Sequence, residues 1–306
     1  MELLQVTKHL ARYGYLPGKE EPGTKAIPET ILKKYQEFHG LEATGTLDNA
    51  TSELMRLPRC CNKDVMERPR DLLEEEHPSR HLTIFKSDVY KWEKKKLTWR
   101  VTKFSRNGMP EALVHEALRR AFYVWESHAD LTFEWLERGL PDLEIRWEVG
   151  DHGDGSDNAF DGSGGTLAHA FFPQGDRLSG DLHFDDEEIW TLGTASVGVN
   201  LTQAAAHEIG HSLGLDHSSD SSALMAPVYR GYVEDFDLQP DDIAKIQALY
   251  GKPLNAPKPV AKEEEWIPKE DPGSGSGSGS GNPGAGDSGS GGPLLPFECP
   301  CPCSLM

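Results

Sequence analysis

Apolar residues recur with two different periods along the chain, and the periods divide it. In MELLQVTKHLARYGYL, Leu3, Leu4 and Leu10 outline one face of an amphipathic helix. A second helix follows in AIPETILKKYQEFHG, with Pro28 suited to its first position (N1) and Gly40 to its C-cap. A short third helix starts after Asp48 in TGTLDNATSELMRL. Further on, LTWRVT and LEIRW alternate with period two, which sets Leu143, Ile145 and Trp147 on one face of a strand. Helical spacing returns in EALVHEALRRAFYVWES through Val114, Leu118, Ala121 and Trp125, and again in PDDIAKIQALYG. In NLTQAAAHEIGHSL the stripe is Leu201, Ala205 and Ile209, with Asn200 and Gln203 matching the N-cap and N3 positions of a capping box.

These patterns divide the chain into four parts and predict an α+β fold. Residues 1–66 form a small three-helix module, and 67–81 are a charged connector with two prolines, open to proteolysis. Residues 82–252 alternate strand and helix. Residues 253–306 are a Pro/Gly/Ser-rich tail expected to be a solvated coil, ending in a Cys-rich PFECPCPCSLM. The Gly- and Asp-rich stretch GDHGDGSDNAFDGSGG reads as a loop by period, but its composition suits something more ordered.

Composition narrows the function. A net charge of -19 over 306 residues argues against a nucleic-acid partner and suits bound cations. No apolar run approaches the roughly 18 residues of a membrane span. The N-terminus lacks the basic and apolar regions of a signal peptide, so entry into the secretory route is not expected to be encoded here. Of five cysteines, Cys60 and Cys61 lie at one end and Cys299, Cys301 and Cys303 at the other, so the central region must do without disulfides. The terminal CSLM formally fits a prenylation box; intermolecular disulfides suit the cysteines better if the chain is exported.

The candidate chemistry centres on HEIGHSLGLDH. At about 100° and 1.5 Å per residue, His207 and His211 stand one turn apart on one helical face and can hold one ion. His217 would lie roughly 9 Å beyond His211 if the helix continued, so Gly214 must let the chain leave and bring it back. Three neutral imidazoles with no fourth protein ligand suit a catalytic Zn²⁺ that keeps a position for water, and Glu208 is placed to take and return its proton. A bare HExxH could be a buried helix with two chance histidines; the longer pattern, with Met225 downstream in SSALMAP, is far more specific.

Taken with PRCC, DLEIRW, HGDGSDNAFDGSGGTLAHAFFP, LHFDDEE and DDIAKIQALYG, residues 1 to about 252 resemble a matrix metalloproteinase zymogen. The resemblance implies a metzincin catalytic domain with a twisted, mixed five-stranded sheet and three helices, behind a peptidoglycan-binding-like propeptide. It implies a structural zinc on His152, Asp154, His169 and His183, a closed tetrahedral set. One Ca²⁺ is implied on Asp161, Asp185, Glu188 and the carbonyls of Gly162, Gly164 and Thr166. A second would involve Asp142 and Asp181, although FFPQGDRLSGD is about one residue longer than the family pattern and its carbonyl ligands stay unassigned. Leu167 and Ala168 lie on the implied substrate-binding edge strand, Pro227 and Tyr229 on the pocket wall, and Gln203 on its floor.

PRCC stands where the family has PRCGxPD, so Cys60 is the implied zinc ligand of the latent form. Cys61 replaces the glycine and Lys63 the proline, and Cys61 could compete as ligand, pair with Cys60 or distort the turn. Arg59 and Asp64 remain, so the resemblance implies that the flanking ion pair can survive. The connector lacks an Arg-x-Lys/Arg-Arg site, so activation by another protease or autolysis is expected. Residues 253–306 carry no hemopexin-like pattern, so weaker reach toward large matrix proteins is expected. By resemblance the chain is secreted, takes protein or peptide substrates and meets a protein inhibitor of the family. Two other functions fit parts of the sequence: a non-catalytic, metal-stabilised peptide-binding protein held latent by its propeptide, and a cell-wall hydrolase with a peptidoglycan-binding arm.

Overall fold

The period-two segments pair into one sheet. A computed structural model describes residues 2–16, 26–65, 90–195, 197–254 and 265–268. The connector, most of the tail and the three C-terminal cysteines lie outside the described residues. The strands are β1 (Arg59–Cys60), β2 (Lys96–Lys103), β3 (Thr132–Trp135), β4 (Leu143–Glu148), β5 (Thr166–Ala170) and β6 (Leu182–Asp185). Their order is β1-β5-β6-β4-β2-β3. All neighbours are parallel except β5 and β6. The central region supplies the five strands expected of it; the sixth, β1, is added at the β5 edge by the N-terminal segment. A separate two-stranded pair joins β7 (Trp190–Thr191) to β8 (Val199–Asn200).

Leu143, Ile145 and Trp147 are fully buried, as their alternation requires. Against this layer pack α4 (Glu111–Glu126) and α5 (Leu201–Ser212), and α6 (Pro240–Tyr250) adds Ile246, Leu249 and Tyr250 to the same core. Trp125 of α4 reaches across to α5, where its Nε1 donates to the Ala206 carbonyl at 2.8 Å. No helix among the described residues is long and apolar enough to cross a membrane.

The N-terminal segment forms α1 (Leu3–Arg12), α2 (Glu29–Phe38) and α3 (Asn49–Leu54) around Val6, Leu10, Leu32 and Tyr35. Three sequence expectations need correction. The C-cap of α2 is His39, and Gly40 is the residue after it, with φ +68°. Leu3 and Leu4 are exposed, because the buried stripe of α1 is Val6 and Leu10. Pro28 is the N-cap and not N1: its extended ψ of 135° keeps it outside the helix while its carbonyl accepts from Leu32. Asp48 caps α3 as expected, accepting from Thr51.

Candidate metal centre and cleft

Helix α5 carries the first two histidines and is fixed at both ends. Asn200 Oδ1 accepts from the Gln203 amide at 2.9 Å, the N-cap half of the expected capping box. The reciprocal half is not formed. The Gln203 side chain donates instead to Gly231 O at 3.2 Å and accepts from Val233 N at 2.9 Å, so a fixed loop across the cleft holds it. At the other end Gly214 adopts φ +101°, and a Cβ there would sit 1.8 Å from Tyr90 O. The chain turns at this glycine and brings His217 back beside His207 and His211.

All three imidazoles are arranged alike. Nδ1 of His207 donates to Leu224 O and Nδ1 of His211 to Leu215 O, both at 2.7 Å; Nδ1 of His217 donates to Asp64 Oδ1 at 2.8 Å. Each acceptor can only accept, so each Nε2 carries a lone pair. The three Nε2 atoms are buried and have no hydrogen-bond partner. With Cys60 Sγ they lie within 4.8 Å of one another. Burial pushes these histidines below their ordinary pKa, His207 to about 3, which keeps them neutral. Three orphaned, neutral, convergent nitrogens fit a Zn²⁺ ion. Glu208 is almost fully buried, its Oε2 lies 3.6 Å from Cys60 Sγ, and burial lifts its carboxyl to about 8. Met225 is fully buried under α5, and a Cβ on Gly210 would touch its sulfur.

β1 occupies the cleft. Arg59 N donates to Gly165 O, Cys61 N to Ala168 O, Cys60 N to Pro227 O and Tyr229 N to Pro58 O, all at 2.8–3.0 Å. The segment is therefore held on one side by the β5 edge and on the other by the 227–229 wall. Arg59 is buried, stacks over the Tyr13 ring at 3.4 Å and pairs with Asp64. Asp64 is also bound by Tyr15 and lies 3.4 Å from His39 Nε2; against the opposing effect of burial, the Arg59 guanidinium and hydrogen bonds from His217 and His39 hold its carboxyl well below the usual range. Cys61 points away from the histidines, with Sγ 3.1 Å from Arg12 Nη2, and Arg12 also donates to Ala159 O at 2.7 Å. A cavity of about 410 Å³ opens beside the metal ligands, lined by Leu167, Gln203, His207, Glu208, Pro227 and Tyr229 among others.

The other implied ligands cluster too. His152 Nε2, His169 Nε2 and His183 Nδ1 all lie 2.8–2.9 Å from Asp154 Oδ2. One carboxylate oxygen facing three ring nitrogens, with Asp154 Oδ1 left unpartnered, makes a poor hydrogen-bond network and a good closed cation shell. Asp161 Oδ1 accepts from Thr166 N, and Glu188 Oε1 from Gly164 N. Burial, reinforced by neighbouring carboxylates, raises Asp185 to about 6 and Glu188 to about 7, and Asp185 Oδ2 has no partner. Such uncompensated acidity fits Ca²⁺. Gly162 and Gly164 both turn with positive φ in this loop. At the second implied calcium site, the Asp142 carboxylate serves Lys94 and Thr98, while its carbonyl faces Gly180. Asp181 is buried beside Glu144 and raised to about 7, by burial first.

Sequence reasoning missed the Leu215 and Leu224 carbonyls and the contact from Asp64 to His217. Backbone acceptors leave no residue signature, and Asp64 is 153 positions from its histidine.

Comparison with known proteins agrees with this geometry. Residues 91–251 match the Matrixin family of peptidases (M10), and residues 2–55 match a putative peptidoglycan binding domain. Matrix metalloproteinase-19 of Homo sapiens is 41% identical over 260 residues, covering 84% of this chain and 46% of that protein. Matrix metalloproteinase-18 of Xenopus laevis is 45% identical over 230 residues, covering 75% of this chain and 45% of its own. Matrilysin of Homo sapiens is 39% identical over 255 residues, covering 83% and 87%. The chain thus spans about half the length of the first two and most of the third. A family match across the region that holds both histidine clusters, together with these identities, means that the chain belongs to the matrixin family.

Proposed function

We propose that the chain is a zinc-dependent endopeptidase, held latent by its own N-terminal segment, that hydrolyses internal peptide bonds of extended protein segments. The observation that carries this reading is the convergence of three buried, unpartnered Nε2 lone pairs beside Glu208 at the mouth of the cavity. Zinc bound by His207, His211 and His217 would supply a Lewis acid that polarises a peptide carbonyl and brings the pKa of a water to about 7.

The chain's own residues do the rest. Glu208 takes a proton from the attacking water and passes it to the departing amine. The β5 edge offers backbone donors and acceptors to an extended peptide, as it now does to β1. Pro227 and Tyr229 wall the side-chain cavity, and Gln203, tied to Gly231 and Val233, forms its floor. Cys60 occupies the approach to the histidines, and Arg59 with Asp64 holds it there.

In the same reading His152, Asp154, His169 and His183 hold a structural zinc. Asp161, Asp185, Glu188 and the carbonyls of Gly162, Gly164 and Thr166 hold calcium, and Asp142 and Asp181 contribute to a second calcium site. Residues 1–66 act as propeptide, 67–81 as the connector cut by an activating protease and 82–252 as the catalytic domain. The substrates are extracellular proteins.

The test is direct. After limited proteolysis, the full chain should cleave a quenched peptide internally and lose that activity to 1,10-phenanthroline. Glu208→Ala should cost about 10²–10⁴-fold in kcat, as expected of a general base. A fully active Glu208→Ala protein would overturn the mechanism, and an inert parent would favour the non-catalytic binding function.

A further inference from the structure

Beyond residue 254 the described residues are Glu265–Pro268, and they return to the fold. Leu192 N donates to Trp266 O at 3.0 Å and Trp266 N to Leu192 O at 3.2 Å, a closed antiparallel bridge just beyond β7. The Trp266 ring packs against the main core. Gly193, with φ +66°, permits the close approach: a Cβ there would lie 2.9 Å from Glu265 Cα.

What the bridge holds is connected to the cleft. The carbonyl of Gly193, next to the bridge, accepts from Asn200 Nδ2 at 3.2 Å. The other amide atom of Asn200, Oδ1, caps α5 through Gln203 N, and Asn200 N donates to Tyr229 OH at 3.0 Å. Asn200 therefore ties the bridged loop to the first turn of the histidine-bearing helix and to the cavity wall. The Gln203 side chain extends the same connection to Gly231 and Val233.

We propose that Glu265–Pro268 is a positioning strap, and that Trp266, through Leu192, Gly193 and Asn200, sets the N-terminal turn of α5 and the Tyr229 wall of the cleft. Its effect on catalysis rests on the endopeptidase reading; its effect on the helix end does not. The backbone hydrogen bonds of Trp266 go to Leu192 and not to a candidate ligand, so its link to the cleft runs through Asn200.

Amide hydrogen exchange on the full chain tests this. Trp266→Ala should speed exchange at Leu192 and at Gln203 by at least about tenfold and leave the central strand β4 unchanged. Trp266→Phe should restore most of the protection, and Trp266→Leu supplies a milder lesion should the alanine variant fold poorly. In the proteolysed chain, Trp266→Ala should raise KM for a quenched peptide about fivefold with kcat within about twofold, a split that marks lost binding geometry. Fast exchange at Leu192 with Gln203 unchanged would overturn the proposal, leaving the segment a mere anchor. Equal acceleration throughout β4 would overturn it too, leaving only general stability. If the proteolysed parent cleaves no peptide, the endopeptidase reading fails while the exchange pattern still decides the strap.

Discussion

Gly214 shows how much one residue can carry. Its φ of +101° and the Tyr90 carbonyl, 1.8 Å from where a Cβ would stand, each exclude a side chain. Gly214→Ala should cost more than about 2 kcal/mol, by adding left-handed strain to a backbone clash, and should displace His217. Thermal melting measures the first effect and zinc content per chain the second. This glycine was legible in the sequence because a third histidine six positions beyond the second required an exit from the helix. Asp64 was legible only as the partner of Arg59, since its contact with His217 exists only once the N-terminal segment has docked. Removing its carboxylate leaves the buried Arg59 guanidinium unpaired, a loss of about 3–5 kcal/mol for a buried pair. The Asp64→Ala chain should therefore hydrolyse a quenched peptide without prior cleavage, whereas the parent should not.

Among elements, α5 is the one most constrained by its neighbours. Its Gly210 lies where a Cβ would come 2.3 Å from Met225 Sδ and 2.8 Å from Trp125 of α4. Alanine is the better helix former by about 1 kcal/mol, yet overpacking costs about 1–3 kcal/mol and the Trp125 ring cannot yield easily. Gly210→Ala should lower the urea midpoint despite its propensity, and a higher midpoint would mean that α4 has room to retreat. The helices and the long strands were legible because burial repeats along them, as Leu143, Ile145 and Trp147 illustrate. β1 was not, because two residues carry no period and become a strand only by meeting the β5 edge. The bridge at Trp266 escaped for the same reason, since one aromatic residue near a Gly/Ser repeat reads as tail. The second half of the capping box failed on competition: Gln203 found a donor and an acceptor across the cleft.

At the scale of the whole molecule, the N-terminal segment and the central region share a core as well as a cleft. Val228, in the wall that faces β1, is buried within the cluster formed by Val6, Leu10, Tyr13, Tyr15, Leu32 and Tyr35. It belongs by sequence to one part and by packing to the other, so docking buries an apolar residue that activation would uncover. A carboxylate at this position would be buried and unpaired in the intact chain, a loss of several kcal/mol, yet solvated once the segment has gone. Val228→Asp should therefore lower the melting temperature of the intact protein by roughly 10 °C, taking about 2–4 °C per kcal/mol for a unit of this size. The same substitution should leave the proteolysed, segment-free protein within about 2 °C of its own parent, as expected for an exposed site. Parallel melts of the four proteins check the difference. Equal destabilisation of both forms would mean that Val228 belongs to the core of the central region, and that the N-terminal segment is held by β1 and Arg59 alone.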